Sequence, residues 1–103
     1  MQRKDIQLIY KVSELASFDI DSIIDYTTIN FGVDAMIKYH ASLEQCFETL
    51  ANNPKIGQQS DFILEKYYRF NHQSYVIFYQ ILNTEILIVR VLHKSMDVDN
   101  HLK

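Results

Sequence analysis

The sequence predicts an α+β fold of two layers, in which a helical hairpin packs on one face of a mainly antiparallel sheet, in the order β-α-α-β-β-β. Three observations predict it. A run with an apolar period of two comes first, two stretches with helical apolar spacing follow, and three strand-like runs end the chain. The chain has 103 residues, 48% of them hydrophobic, which suits one compact core. We therefore expect a single domain over residues 1–103.

The first strand is predicted at residues 6–12, where apolar and polar side chains alternate. Ser13 follows it and offers a side-chain oxygen that can cap the start of a helix. Glu14 then lies in the first helical turn, where the helix dipole favours a carboxylate. These residues predict a direct passage from strand to helix at Ser13.

Two helices are predicted after this junction, each with one apolar stripe at spacings of three and four residues. Asp19, Asp21 and Asp25 are placed off the stripe of the first helix, which Gly32 ends because glycine readily adopts a left-handed backbone. Pro54 stops the second helix. The short link between the helices predicts an antiparallel hairpin. The first stripe comprises Ala16, Ile20, Ile23, Ile24 and Thr27, and the second Ala35, Tyr39, Leu43, Phe47, Leu50 and Ala51.

A polar loop is predicted at residues 55–61, followed by three strands at 62–70, 74–82 and 85–93. Short polar turns at 71–73 and 83–84 join the strands into an antiparallel meander. The apolar stripes of the two helices should pack on one face of this sheet. The alternation of apolar side chains along the strands indicates which residues should be in contact. We expect burial of Ile20, Ile23, Ile24, Tyr39, Leu43, Phe47 and Leu50 against Ile77, Tyr79, Ile88 and Leu92 or their neighbours.

The net charge of −3 opposes broad electrostatic attraction to nucleic acid. Residues 1–61 contain five Lys/Arg against nine Asp/Glu, whereas residues 62–103 contain five against four. Any anion-attracting surface must therefore come from the C-terminal part. No targeting segment or membrane-spanning apolar run is found, so we expect a cytoplasmic protein without membrane contact.

Metal and cofactor chemistry is not predicted by the residue spacings. The four histidines, which are His40, His72, His93 and His101, have neither paired ligand spacing nor companion cysteines. The single Cys46 lies between Leu43 and Phe47 and is expected to be a small residue at the edge of the core instead of a nucleophile. No glycine-rich phosphate loop is present. We expect no metal and no cofactor.

The chain resembles the ParE family of toxins, within the RelE/ParE superfamily, along nearly its whole length. Ser13, Ala16, Asp19, Ile20, Ile23, Tyr26 and Thr27 carry the first part of the resemblance, followed by Phe31, Gly32, Ala35, Tyr39 and Leu43, and then by Leu50, Ala51, Pro54 and Gly57. Residues 68–70, 75–79 and above all 89–97, VRVLHKSMD, are the more specific part. Their order and spacing agree together with the closing strands and tail of that family.

This resemblance implies a RelE/ParE-like fold and a toxin of a type II toxin–antitoxin system. A ParD-like antitoxin would neutralise the chain by packing a helix in a groove and adding a strand. DNA gyrase would be the target, and operator DNA would be contacted only through the antitoxin. The alternative implied by the RelE relatives is a ribosome-dependent mRNA endoribonuclease, and a third reading is a degenerate member retained as a binding module.

Arg69, Arg90 and His93 stand where the RelE-like nucleases carry their basic and proton-transferring groups. A nuclease would use such groups to stabilise a phosphate oxyanion and to deprotonate a 2′-hydroxyl. The other reading is that the arginines hold the C-terminal tail through carboxylates such as Asp97, and that His93 merely ends the last strand. The overall acidity and Lys94, in place of the tyrosine that closes some nuclease sequences, favour binding. The predicted target- or antitoxin-binding residues are Arg69, Arg90, His93, Lys94, Met96 and Asp97, with no catalytic residue.

Overall fold

The computed structural model describes residues 8–59 and 67–95, and these form two helices packed on a five-stranded sheet. The α+β class and the helical hairpin predicted from the sequence are confirmed. In chain order the elements are β1 (Ile9–Val12), α1 (Glu14–Phe31), α2 (Val33–Asn52), a 3-10 turn (Pro54–Ile56), β2 (Gln58–Gln59), β3 (Tyr67–His72), β4 (Tyr75–Ile81) and β5 (Glu85–His93).

The sheet has the order β1-β5-β4-β3-β2. Strand β1 runs parallel to β5, with Ile9 opposite Glu85 and Val12 opposite Ile88. All other pairs are antiparallel, and β4 and β5 carry an irregularity in register beside Phe78. Strand β1 pairs only with the first part of β5, so the edge of β5 beyond Ile88 is not paired with β1.

Single residues define both ends of α1. The Ser13 hydroxyl accepts a hydrogen bond from the Ala16 amide at 3.0 Å and donates one to the carbonyl of Val89 at 2.9 Å. The predicted cap therefore also fastens the helix to the sheet. Gly32, at φ +94°, separates α1 from α2, and a side chain at this backbone angle would be strained.

The core lies between the hairpin and one face of the sheet, as the apolar spacing predicts. Leu43, Phe47 and Leu50 of α2 are buried there with Ile77 and Tyr79 of β4. Ile20, Ile24 and Tyr39 are only half-buried, since they lie at the borders of the helical stripes. Leu92 is buried, but it belongs to a second cluster with Val76 and Phe78, on the opposite face from Ile77.

Two details of the C-terminal half differ from the sequence prediction. Gln58 and Gln59, predicted as loop, form a short edge strand against Tyr68 and Arg69. The turn between β3 and β4 begins later than predicted, because His72 pairs with Tyr75 within the sheet. Gln73, at φ +55°, accommodates the tight turn in place of a glycine.

The segment Pro54–Gly57 closes over the hydroxyl of Tyr79. That hydroxyl donates a hydrogen bond to the Pro54 carbonyl at 2.7 Å and accepts one from the Gly57 amide at 3.1 Å. A Cβ at position 57 would overlap the Tyr79 hydroxyl and lie 2.9 Å from the Arg69 carbonyl. Glycine is therefore required at position 57 for a close approach of two chain segments.

Candidate partner-binding site

A groove of about 800 Å³ runs between α1 and the adjoining ends of β4 and β5. Its walls combine apolar and aromatic side chains with a polar rim, the composition typical of sites that bind peptides or helices. The first turn of α2 and the turn between β3 and β4 complete it. The residues that line the groove are Asp19, Ser22, Ile23, Tyr26, Thr27, Phe31, Ala35, Tyr39, Gln73, Ser74, Tyr75, Val91, Leu92, His93 and Ser95.

Arg90 is held at the end of this groove by Asp19 of α1. The guanidinium donates from Nε to Asp19 Oδ2 at 2.8 Å and from Nη2 to Oδ1 at 2.9 Å. Both side chains are about 85% buried, with exposures of 15% and 13%. The hydrogen bonds from Arg90 to Asp19 raise the pKa of the guanidinium. A charged arginine paired in this way fastens α1 to β5.

Asp19 also covers the part of the β5 edge that β1 does not reach. Its Oδ2 accepts a hydrogen bond from the Val91 amide at 3.0 Å. Placing Asp19 away from the buried side of α1 was therefore wrong. The signal was its position three residues after Ala16 and four before Ile23, which puts it beside the apolar stripe. The sequence did not reveal that an acidic side chain was needed there.

His93 lies exposed at the mouth of the groove and packs edge-on against Tyr75, with ring centroids 5.3 Å apart. The Ser95 amide donates to His93 Nδ1 at 3.1 Å. Because an amide can only donate, Nδ1 is the acceptor, and the proton of a neutral ring is on Nε2. In this arrangement Nε2 offers a hydrogen-bond donor, whereas a general base must offer a lone pair.

Strand alternation directs His93 and the two predicted arginines from opposite faces of the sheet at their Cβ atoms. Arg69 and Arg90 both lie opposite Phe78, whereas His93 lies opposite Tyr75, three residues away on β4. Side chains an odd number of residues apart on a strand point to opposite faces. Arg69 and His93 therefore leave the sheet from opposite faces, whereas the Arg90 guanidinium reaches Asp19 in the helical layer. Arg69 instead lies over the ring of Phe78, 5.4 Å from its centroid.

The remaining predicted site residues follow β5. Lys94 is exposed, and its amide donates to the Ser74 carbonyl at 2.9 Å, which closes the strand end beside the groove. Met96 and Asp97 lie outside the described residues. Among the described residues Asp19 is a carboxylate partner of Arg90, and the suggested pairing with Asp97 falls outside them.

Tyr39 forms part of the groove wall and contacts Tyr75 and His72, with ring centroids 5.6 and 6.2 Å apart. Its hydroxyl is buried and has no hydrogen-bond partner within residues 8–59 and 67–95. Burial raises the pKa of Tyr39 above its ordinary value. Burying this hydroxyl without a hydrogen bond lowers the stability of the fold, and no sequence pattern indicated it.

Cys46 is buried, as predicted, and has no disulfide partner. Burial raises the pKa of its thiol to about 11, which disfavours the reactive thiolate. In the part of the chain that the structure describes, no group of three or more His, Cys, Asp or Glu side chains could hold a metal ion. Nor does that part contain a helix long and apolar enough to cross a membrane.

Comparison with known proteins assigns the chain to a family. A family profile described as the ParE toxin of the type II toxin-antitoxin system parDE matches residues 10–98. The chain is 33% identical to Toxin ParE1 of Caulobacter vibrioides over 93 residues, which cover 90% of this chain and 96% of that protein. It is 34% identical to Toxin ParE1 of Mycobacterium tuberculosis over 94 residues, with the same coverage.

A solved structure supports the assignment at the level of the fold. A chain of the chromosomal ParDE toxin-antitoxin system from P. aeruginosa has a TM-score of 0.73 and 16% identity, covering 84% of this chain and 96% of its own. The likeness in fold agrees with the extensive sequence match. The chain therefore belongs to the ParE toxin family of type II toxin–antitoxin systems.

Proposed function

We propose that the chain is a toxin that inhibits DNA gyrase by binding it, without cutting nucleic acid. The observation that carries the non-enzymatic part is that Asp19 engages the Arg90 guanidinium, while Arg69 and His93 leave the sheet from opposite faces. Cleavage of RNA requires a base and an oxyanion-stabilising cation on the same phosphate. Here Arg90 is engaged by Asp19, and His93 directs a donor outward.

The identity of the target rests on the resemblance to ParE toxins. The acidic balance of the chain, −3 overall, is consistent with a protein target instead of a ribosomal RNA surface. His93 and Lys94 are exposed beside each other at the end of β5 and could contact such a target directly.

We further propose that a ParD-like antitoxin holds the toxin inactive by seating an apolar segment in the groove. The groove is open and lined by aromatic and aliphatic side chains, and His93 stands at its mouth. A segment packed there would cover His93. Operator DNA would then be contacted through the antitoxin, because the toxin lacks a strong positive charge of its own.

Purified toxin should inhibit gyrase supercoiling and leave ribosome-bound mRNA intact. His93→Gln should raise the toxin dose that gives half-maximal inhibition of gyrase, because the proposed role of His93 is to contact the target. Full inhibition should still be reached at high dose. A general base would behave differently, since its loss lowers the rate by about 100-fold or more at any dose. Codon-specific cleavage that His93→Gln abolishes would establish the endoribonuclease and reject the inhibitor.

The groove can be tested separately with two matched alanine substitutions on α2. Ala35→Arg places a charge in the groove wall, whereas Ala41→Arg places it on an exposed position outside the groove. We expect Ala35→Arg to weaken antitoxin binding by about 30-fold or more, the effect of a few kcal/mol, and Ala41→Arg to leave it nearly unchanged. Equal binding of both variants, measured by calorimetry, would place the antitoxin elsewhere.

A further inference from the structure

The outer side of α1 carries a second apolar stripe that nothing in the described chain covers. Leu15, Phe18, Tyr26 and Ile29 follow one another at spacings of three, eight and three residues, and their exposures are 56, 61, 56 and 82%. At about 100° per residue these positions fall within a narrow sector of the helix surface, roughly opposite the side that faces α2. Tyr26 also lines the groove, so the stripe and the groove form one continuous surface.

An acidic row borders this stripe on the side away from the groove. Glu14, Asp21 and Asp25 are exposed and lie at spacings of seven and four residues, which aligns them along the helix. Asp19, the fourth acidic residue of α1, is buried with Arg90 and does not belong to the row. Residues 14–31 contain no lysine, arginine or histidine, so no charge within α1 balances the row.

We propose that the outer stripe of α1 binds a cationic amphipathic helix of a partner protein. Apolar side chains of that helix would pack on Leu15, Phe18 and Ile29, and its lysines or arginines would face the acidic row. A second copy of this chain fits poorly, because a symmetric α1–α1 contact would set two acidic rows against each other. The charge pattern therefore selects a basic helix as the occupant.

This inference rests on the proposed function in one respect, because the antitoxin is the partner expected to carry such a helix. It specifies the chemistry of the antitoxin segment beside the groove, which should have an apolar stripe with basic residues along one border. The surface itself can be tested on the toxin alone, so a failure of the antitoxin model and a failure of this inference are distinguishable.

Two synthetic helices of about 20 residues, or roughly 30 Å, match the length of α1. Both carry the same leucine stripe, and one has lysines and the other glutamates along the border. Fluorescence anisotropy with the toxin should give at least about tenfold tighter binding for the lysine helix at low salt, and the difference should shrink as salt screens the charges. In Asp21→Lys/Asp25→Lys the preference should invert in favour of the glutamate helix.

Asp34→Lys/Glu48→Lys is the matched control, since it makes the same change in net charge at exposed positions of α2. It should retain the preference for the lysine helix. Phe18→Ser, an exposed change that leaves the core intact, should weaken both helices. Equal binding of the two helices, a preference unaffected by Asp21→Lys/Asp25→Lys, or a toxin dimer that Phe18→Ser dissociates would each overturn the proposal.

An antitoxin test then separates the two ideas. If the antitoxin neutralises the toxin while the acidic-row variants bind it unchanged, the inference is wrong and the proposed function stands. If the lysine helix binds as expected while no antitoxin neutralises the chain, the proposed function is wrong. The outer stripe of α1 would still be a binding surface for a basic helix.

Discussion

Asp19 and Arg90, which are 71 residues apart in the chain, form a two-point ion pair that joins the first helix to the last strand. The same carboxylate binds the Val91 amide and so completes the edge of β5. The Asp19 carboxylate thus pairs with the largely buried guanidinium of Arg90 and also accepts a hydrogen bond from a backbone amide.

Asp19→Ala should lower the free energy of unfolding by about 3 kcal/mol, because it leaves a largely buried guanidinium and an amide without this partner. Asp21→Ala, two residues away and exposed, should change it by less than about 0.5 kcal/mol. Urea unfolding of the two variants measures the difference. Similar values for both would mean that the ion pair contributes little to stability.

Two tyrosines with buried hydroxyls, Tyr79 and Tyr39, should respond to replacement by phenylalanine in opposite directions. Tyr79→Phe removes a hydroxyl with two hydrogen bonds and should destabilise the protein by about 1–3 kcal/mol. Tyr39→Phe removes a buried hydroxyl without a described partner and should stabilise it by about 1 kcal/mol. Thermal unfolding distinguishes them, and a loss of stability in Tyr39→Phe would show that its hydroxyl has a partner.

Gly57→Ala should destabilise the protein by about 1–3 kcal/mol, because the added methyl group overlaps the Tyr79 hydroxyl. The cost should be smaller in a Tyr79→Phe background, where that hydroxyl is absent. A double-mutant cycle measures this coupling. Additive effects would contradict the close contact between the two residues.

His72 should make stability sensitive to mild acid. Its Nε2 lies 2.9 Å from the Ser42 hydroxyl, which also accepts a hydrogen bond from the Gln73 side chain. Burial lowers the pKa of His72 from its ordinary value of 6.5. The unfolded chain therefore binds the proton first as the pH falls, and the free energy of unfolding decreases below about pH 6.5.

His72→Gln removes this titration and should flatten that part of the stability profile. Urea unfolding at pH 7.5 and 5.5 provides the comparison, with His40→Gln as a control at an exposed position. An unchanged acid-dependent loss in His72→Gln would assign the effect to another group.

The features that depend on residues close together in the chain, such as apolar periodicity and helix caps, were predicted correctly from the sequence. Ser13, Gly32 and Pro54 marked the helix ends correctly, because capping and backbone angles act over a few residues. Asp19 was misplaced because its role depends on how far β1 extends along β5, a relationship between distant segments. Gln58 and Gln59 carry no apolar alternation, and their strand forms only because β3 offers them a partner.

The candidate site was less accessible to prediction than the fold. Arg69, Arg90 and His93 were grouped by family position, whereas strand alternation places His93 on the other face of the sheet. The alternation is readable from the sequence, but assigning each side chain to a face requires the register of β4 and β5. The outer stripe of α1 was not predicted, because the apolar periodicity that predicts this helix is that of the stripe directed to the core.

The parallel pairing of β1 with β5 joins the first described strand to the last, and this affects how the chain folds during synthesis. Ser13 and Val89, bonded to each other, are 76 residues apart, so their contact closes a loop that spans most of the protein. The ribosome must release β5 before this strand can pair between β1 and β4. Products truncated before β5 should therefore lack the folded groove, because residues of β5 line it.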